Sequence, residues 1–516
     1  MVTVSGSLNG CAHPPYDSRG RVAIATGNRA VVLPNTKSNK DLVMFRWWSL
    51  MCLASWVGSS AVFAANPARP NIIVIFSDDH GSADLGANGS RADVRTPHLD
   101  ALAKDGVRFS RGYVTAPQCV PSRAGLVTGR YQQRFGVDDN LQGPLPHEEK
   151  IIAHRLADAG YQTGMVGKWH LDLKMEQAPV GQAKGKRGGP QAKRLATRLP
   201  EYLPHRFGFQ EMFCGEQNRY FATHDFTGKS VAGGLKLIED NRYRVDVQTE
   251  AALSFIDRHA ADPFFLYLAY YAPHVPSEAP AKYMERFADV KDPQRRVALA
   301  MISSIDDGVG QIRRRLNQRG IDRDTLIFFI GDNGAPTKPN AWNGSLNEPF
   351  VGEKGMVTDG GIRVPFVACW PNGLPAGTVC AHAVSSLDVL PTALAASGRE
   401  VSAEWKLDGV NLLPFLNGQR TDAPHEALFW RFRSQAAVLA GKWKLVYLAP
   451  NSWRLFDTTN PNGEKSANDL ARVHPDKLAE LKRLLSAWDA TLKTPGLPTT
   501  LHQEDKKFFE DHVHGG

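Results

Sequence analysis

The sequence predicts an α/β protein: a large, mostly parallel sheet flanked by helices, followed by a small C-terminal α+β part with an antiparallel sheet and a terminal helix. Three observations carry this. Four apolar, β-branched or aromatic runs alternate with helical stretches between residues 70 and 330, as in a parallel sheet covered on both faces. Each run ends in a polar cluster, and ligands of such sheets bind at the carboxyl ends of strands. After about residue 424 the pattern changes to short alternating strands separated by turns.

The first run is Pro70-Asn-Ile-Ile-Val-Ile-Phe76, followed at once by Ser77-Asp78-Asp79-His80-Gly81. Thr96-Pro97-His98-Leu99-Asp100 opens a helix with Leu99, Leu102 and Ala103 on one face and Gly106 near its end. Residues 160–166 form a short strand leading to Gly167-Lys168-Trp169-His170. Residues 263–271 lead to Ala272-Pro273-His274, and 325–330 to Gly331-Asp332-Asn333-Gly334. Helices are expected over 245–259 and 296–319, by their apolar spacing. In the C-terminal part, 427–432, 435–439, 443–448 and 453–457 alternate as strands, and a helix after Pro475 places Leu478, Leu481, Leu485 and Trp488 on one face.

A chain of 516 residues exceeds one small core. The expected division is 65–424 as the main α/β domain and 425–516 as a C-terminal α+β subdomain. With 42% hydrophobic and 22% charged residues, the composition excludes collagen, a coiled coil and wholesale disorder. Residues 1–64 hold six Lys/Arg against two Asp/Glu, so the rest carries about half of the formal +8. That mild excess suits an anionic substrate. Without a helix-turn-helix, zinc-finger or RNA-binding signature, no nucleic-acid partner is expected.

Residues 44–64 have the character of a secretory signal peptide: Arg46 at the start, an apolar stretch, and Val62-Phe-Ala64 before the cleavage point. They are short for a membrane span, so no stable membrane anchor is expected, and secretion or a periplasmic location is. Residues 1–43 are polar and aperiodic, and are expected to be a mis-called upstream extension or a long n-region. Of the cysteines beyond residue 64, Cys119, Cys214, Cys369 and Cys380 are too few for a disulfide scaffold. Cys369 and Cys380 are candidates for one short bridge. Residues 179–200 are rich in Gly, Gln, Lys and Arg. They are expected to be an exposed insertion, either a polyanion grip or a solvated loop.

Asp78, Asp79, Asp332 and Asn333 are oxygen donors at two strand ends far apart in sequence. Adjacent carboxylates repel unless a cation lies between them. An all-oxygen set suits Ca²⁺, with Mg²⁺ second, rather than zinc. In Cys119-Val120-Pro121-Ser122-Arg123, Pro121 at a first helical position and the apolar residues after it place Cys119 at a helix N-terminus. There the helix dipole would acidify a thiol, although a buried cysteine is often only structural.

These motifs resemble the type I, formylglycine-dependent sulfatase family of the alkaline phosphatase superfamily. Cys119-x-Pro121-Ser122-Arg123 is similar to its first signature, which continues to Thr128-Gly129-Arg130. Gly160-Tyr161-x-Thr163 through Gly167-Lys168 is similar to its second, closed by His170. The resemblance runs from Asn71 to about Trp488. It implies that a formylglycine-generating or equivalent maturation enzyme oxidises Cys119. It also implies that Asp78, Asp79, Asp332 and Asn333 hold calcium together with the modified residue 119, and that Arg123 supports that residue. Lys168 and Lys354 would hold the sulfate, His170 would bond the formylglycine hydroxyl, and His274, as imidazolium, would face the leaving-group oxygen. Asp332 would act as base. Asp359 stands where the family usually has Glu, which touches local packing rather than chemistry.

The implied activity is release of sulfate from a sulfated small molecule or glycan, with exo action on a sulfated carbohydrate as the expected form. Residues 179–210 and 215–224 would shape the sugar pocket, with Arg206, Arg219 and His224 as candidates. The alternatives are a phosphate-diester or phosphonate-monoester hydrolase of the same superfamily, and a non-enzymatic polyanion-binding protein.

Overall fold

A computed structural model describes residues 69–172, 200–215, 217–448, 452–460 and 463–495. The expected leader segments, 1–43 and 44–64, and residues 179–199 of the basic stretch lie outside the described residues. No helix among those described is long and apolar enough to cross a membrane.

The large sheet has ten strands. In chain order they are β1 (Asn71–Asp78), β2 (Val107–Tyr113), β3 (Gln162–Gly167), β4 (Glu211–Cys214), β5 (Arg219–Ala222), β6 (Lys236–Glu239), β7 (Phe264–Pro273), β8 (Thr325–Gly331), β9 (Phe366–Cys369) and β10 (Thr378–Ser385). Across the sheet the order is β10-β2-β9-β8-β1-β7-β3-β4-β5-β6. The five adjacent strands β8, β1, β7, β3 and β4 run parallel. Strand β9 is antiparallel to both its neighbours, and β5 is antiparallel to β4 and β6. The parallel run forms because β1, β7 and β8 carry long apolar stretches and are buried along their whole length, which only a sheet covered on both faces permits.

The covering helices are α1 (Pro97–Lys104), α2 (Cys119–Thr128), α3 (Ile152–Ala157), α4 (Arg244–His259), α5 (Pro293–Gln318) and α6 (Val389–Ala396). Ile73 and Ile75 face one side with α1, α4 and α5. Ile72, Val74 and Phe76 face the other with α2, α3 and α6. Helix α5 starts three residues earlier than the sequence suggests, because Asp292 accepts the Arg295 N–H at 2.8 Å and Pro293 occupies the first turn.

Strands β11 (Leu428–Phe432), β12 (Gln435–Ala440), β13 (Trp443–Leu448) and β14 (Ser452–Asp457) form an antiparallel meander. One face packs on α7 (Pro475–Asp489) through Leu481, Leu485 and Trp488, each buried side chain contributing about 1.5–3 kcal/mol. The other face, with Trp430, Phe432 and Val446, joins the core beneath α2. The Trp430 indole N–H donates to the Val114 carbonyl at 2.7 Å.

The four cysteines of the described residues are free and buried. Cys369 and Cys380 do not pair, contrary to the bridge considered from sequence. Cys369 belongs to the core on the α5 side of the sheet and Cys380 to the core on the α2 side.

Candidate functional site

The carboxyl ends of β1, β3, β7 and β8 meet the N-terminus of α2. Asp78 ends β1 and Asp79 follows it. Lys168 and His170 lie just beyond β3, His274 just beyond β7, and Asp332 and Asn333 just beyond β8. Cys119 is the first residue of α2, so the helix begins two residues before Pro121 rather than at it. Asn140 satisfies a free end-group there: its Oδ1 accepts the Val120 N–H at 2.9 Å.

Two turns need unusual backbone. Gly167 has φ +97, and a Cβ there would lie 2.0 Å from the Ala269 carbonyl oxygen. A Cβ on Gly334 would lie 1.8 Å from the Gly360 oxygen, so only glycine lets the Asp332-Asn333 turn meet residues 360–361. Asp79 and His170 are left-handed without being glycine, each at φ 59, a strain on the order of 1–3 kcal/mol. Asp79 is held in that state by its N–H to Asp332 Oδ1 at 2.9 Å and its carbonyl to Asn343 Nδ2 at 3.0 Å. His170 is buried at the end of β3, next to Lys168.

Side chains converge tightly. Cys119 Sγ lies 3.3 Å from Asp78 Oδ1 and 4.0 Å from Asp79 Oδ1. Lys168 Nζ bonds Asp78 Oδ2, and Lys354 Nζ lies 2.7 and 2.8 Å from the two Asp79 oxygens. Arg123, fully buried, donates to Asp332 Oδ2 at 2.8 Å and to the Lys168 carbonyl at 3.0 Å. Its guanidinium lies over the Phe76 ring, 5.3 Å from the centroid. His274 Nε2 is 3.7 Å from Asp79 Oδ2, and its Nδ1 donates to the Val275 carbonyl at 2.8 Å.

Three cations thus face three carboxylates in a buried space. Burial would raise the Asp78 carboxyl, but Lys168, His274, Arg123 and Lys354 together hold it well below the usual range. Asp332 is pushed up to about 7 by burial and by Asp78, against Arg123. Burial would pull Lys168 and Lys354 down, yet Asp78 and Asp79 respectively keep them above the ordinary lysine value. The acidified thiol expected at the helix N-terminus is not observed. Burial, then the Asp332 and Asp78 charges, push Cys119 well up, outweighing the lysines. The expected imidazolium also meets resistance: burial lowers His274, with Asp78 and Asp79 opposing.

The residues fit a cation. Asp78, Asp79, Cys119 and Asp332 each offer one ligand atom, all within 4.8 Å of one another and all buried. Asn333 donates Nδ2 to Asp79 Oδ1 at 2.7 Å, while its Oδ1 is buried without a hydrogen-bond partner. An orphaned oxygen beside three carboxylates is the donor set a hard divalent ion takes.

Several supporting residues carried no sequence signal. Asn343 ties the Asp79 carbonyl to that of Pro273. Arg244, at the start of α4, donates to the His274 and Pro276 carbonyls at 3.1 and 2.6 Å. Asp359 pairs with Lys444 at 2.6 Å and Arg363 at 3.0 Å, so partners from β13 and its own turn serve the shorter side chain. Of the sugar-pocket candidates, Arg219 pairs with Glu239 at 2.8 Å at the sheet edge, and Arg206 is exposed. His224 lies near Glu211, at the strand end opposite the Asp78 cluster.

A family model described as Sulfatase matches residues 70–398. N-acetylgalactosamine-6-sulfatase of Mus musculus is 32% identical over 443 residues, covering 79% of this chain and 77% of that protein. The crystal structure of Ps i-CgsB in complex with k-i-k-neocarrahexaose superposes with a TM-score of 0.70 at 30% identity, covering 86% of this chain and 97% of that one. Phosphonate monoester hydrolase SpPMH from Silicibacter pomeroyi shares the fold, with a TM-score of 0.60 at 22% identity over 82% of this chain and 96% of that one. The chain belongs to the sulfatase family, enzymes that hydrolyse sulfate esters.

Proposed function

We propose that this sulfatase removes sulfate from a sulfated carbohydrate, acting at a chain end, with Cys119 converted to formylglycine and a calcium ion held by Asp78, Asp79, Asp332, Asn333 and residue 119. The single observation that carries the reading is the placement of Cys119 Sγ 3.3 Å from Asp78, inside a cage of three carboxylates and three cations, of which Arg123 and Lys168 are buried and Lys354 is partly buried. When bound, calcium supplies Lewis-acid polarisation of sulfate oxygens. The hydrated aldehyde supplies one hydroxyl to attack sulfur and a second through which sulfate is released.

The chain's own residues do the rest. A sulfate monoester spreads one negative charge over three oxygens and gathers more on the bridging oxygen as the S–O bond breaks. Lys168 and Lys354 bind the sulfate oxygens, exchanging their contacts with Asp78 and Asp79 for the substrate. Arg123 holds Asp332 and the Lys168 carbonyl in register, so its charge is fixed before substrate arrives. Asp332, its carboxylate held by Arg123, takes a proton from the attacking hydroxyl. His274 carries its hydrogen on Nδ1 towards Val275, leaving Nε2 towards the site. The negative charge of bound sulfate favours protonation at Nε2, from which the departing alcohol is served. His170 receives the proton when sulfate leaves.

Burial of Cys119 and Lys168, each 1% exposed, supports entry of a terminal sulfate rather than the middle of a chain. The names of the relatives, a hexosamine sulfatase and a structure bound to a carrageenan-type oligosaccharide, support a glycan substrate. The leader-like residues 44–64 support secretion or a periplasmic location, and a maturation enzyme as partner.

The test is a panel of sulfated mono- and oligosaccharides, an aryl sulfate and an aryl phosphonate, assayed on enzyme co-produced with a maturation enzyme. Mass spectrometry of the peptide containing residue 119 accompanies it. Sulfate release from terminal sugars, lost in Cys119→Ala, is expected. Faster turnover of the phosphonate, or full activity in Cys119→Ala, would refute the reading.

A further inference from the structure

The loop carrying Lys354 is gripped from three sides. The Lys354 N–H donates to the Ala335 carbonyl at 3.1 Å, and the Gly355 N–H to the Pro117 carbonyl at 2.8 Å. The third grip comes from the small sheet. Gln435 on β12 is 2% exposed. Its Oε1 accepts the Val357 N–H at 3.1 Å, and its Nε2 donates to the Gly355 carbonyl at 2.9 Å. One amide thus spans the turn that immediately follows Lys354. Gly355 is left-handed, at φ +90, with open space where a Cβ would stand. Side-chain packing at that point therefore does not hold the turn; hydrogen bonds do.

We propose that Gln435 is a positioning residue for the sulfate site. By bracketing residues 355–357 it fixes where the Lys354 ammonium stands, so the C-terminal sheet sets part of the oxyanion geometry. Lysine is a point charge on a flexible four-carbon stem, and the location of its backbone decides which oxygens it reaches. A misplacement of about 1 Å away from the reacting atoms can cost on the order of 10²-fold in rate. The next strand makes a second reach to the same segment: Lys444 on β13 bonds Asp359, whose turn packs its glycines on the Gly352 and Met356 carbonyls. Two polar side chains of a four-stranded sheet, each at most 2% exposed, thus leave their own sheet to hold the lysine loop.

The inference rests on the reading of Lys354 as a sulfate ligand, so the experiment separates the two. Gln435→Met keeps the volume and removes both hydrogen bonds. Gln435→Glu keeps the acceptor for Val357 and loses the donor to Gly355. Each is made alone and with Lys354→Ala in matured enzyme. The readouts are KM and kcat on an aryl sulfate and inhibition by inorganic sulfate, with thermal scans to check folding. In Gln435→Met, KM and the inhibition constant should rise about tenfold while kcat changes less, with an intermediate rise in Gln435→Glu. In the Lys354→Ala background Gln435→Met should add nothing.

Unchanged constants in Gln435→Met, or effects that add in full to those of Lys354→Ala, overturn the positioning role and leave Lys354 as ligand. If Lys354→Ala leaves both constants unchanged, the ligand reading falls and the positioning role with it. Should Gln435→Met fail to fold, the Gln435→Glu series decides by the same criteria.

Discussion

Asp332 Oδ1 accepts the backbone N–H of Asp79 at 2.9 Å, joining two strand ends separated by 253 positions in the chain. The same carboxylate takes Arg123 on its other oxygen at 2.8 Å. One side chain therefore locks a left-handed residue and neutralises a fully buried guanidinium. Asp332→Asn keeps the size but turns an amide N–H₂ towards Arg123 or towards the Asp79 N–H. Removing one partner of a buried ion pair costs about 3–5 kcal/mol, and turnover should fall by at least about 10²-fold. Urea unfolding and steady-state kinetics measure the two; parental values in both would contradict this account.

Chelation should abolish hydrolysis and lower the melting temperature, with calcium restoring both. At a hundredfold excess over its dissociation constant, a bound ion adds about 2.7 kcal/mol. Zinc should restore less, because every donor, the formylglycine at residue 119 included, is an oxygen. Asn333→Ala removes only the orphaned Oδ1 and the two hydrogen bonds that Nδ2 donates to Asp79 Oδ1 and the Gly334 carbonyl. Calcium titration of that variant should show affinity weakened about tenfold or more.

Lys444, fully buried, lies 2.6 Å from both Asp359 and Glu464. Glu464 is pushed up to about 7 by burial, with Lys444 opposing and Asp359 adding to the rise. Asp359 goes the other way: burial would raise it, but Lys444 and Arg363 bring it to about 2. Lys444→Met leaves the two acids without their shared cation and should cost about 3–5 kcal/mol. Glu464→Gln should cost far less, since that carboxyl already lies close to neutral. Urea midpoints of the two variants check the order; equal losses would contradict it.

Glu211 links β4 to α4 through Arg258 and through His259 Nε2 at 2.8 Å. Burial would raise its pKa from 4.5, yet hydrogen bonds from His259 and Arg258 bring it to about 2. Below its ordinary value the unfolded chain binds the proton first. The stability it contributes is therefore complete above about pH 4.5 and is lost as pH falls towards 2. Glu211→Gln should show a deficit in melting temperature at neutral pH that closes over that window in calorimetry. A deficit independent of pH would refute the assignment.

The central strands were legible because an unbroken apolar run such as Ile72 to Phe76 has one stable use, in a sheet covered on both faces. The site was legible for a related reason: Asp78-Asp79, His274 and Asp332-Asn333 each come within a residue or two of the end of such a run, and Lys168 follows the shorter strand β3. Strands β4, β5 and β6, the last three towards one edge of the sheet and each four residues long, leave too little periodicity to read. Gln435, Asn343 and Arg244 were invisible, since a lone amide or arginine has no local signature and its partners come from distant segments. His224 was misjudged because spacing along the chain does not reveal at which end of a strand a side chain emerges.

By itself, the order of residues determined the strand–helix alternation, the switch to antiparallel strands after about residue 424, and which side chains gather at the strand ends. Local sterics, apolar burial and strand period suffice for that. Tertiary structure alone decided the charge states and the supports. The Cys119 thiol is raised rather than acidified because it is buried in the core, beside carboxylates brought there by the ends of β1 and β8. Lys354 is steadied by a glutamine from another sheet. Electrostatic energy depends on distance and burial in space, and neither is written in the separation of residues along a chain.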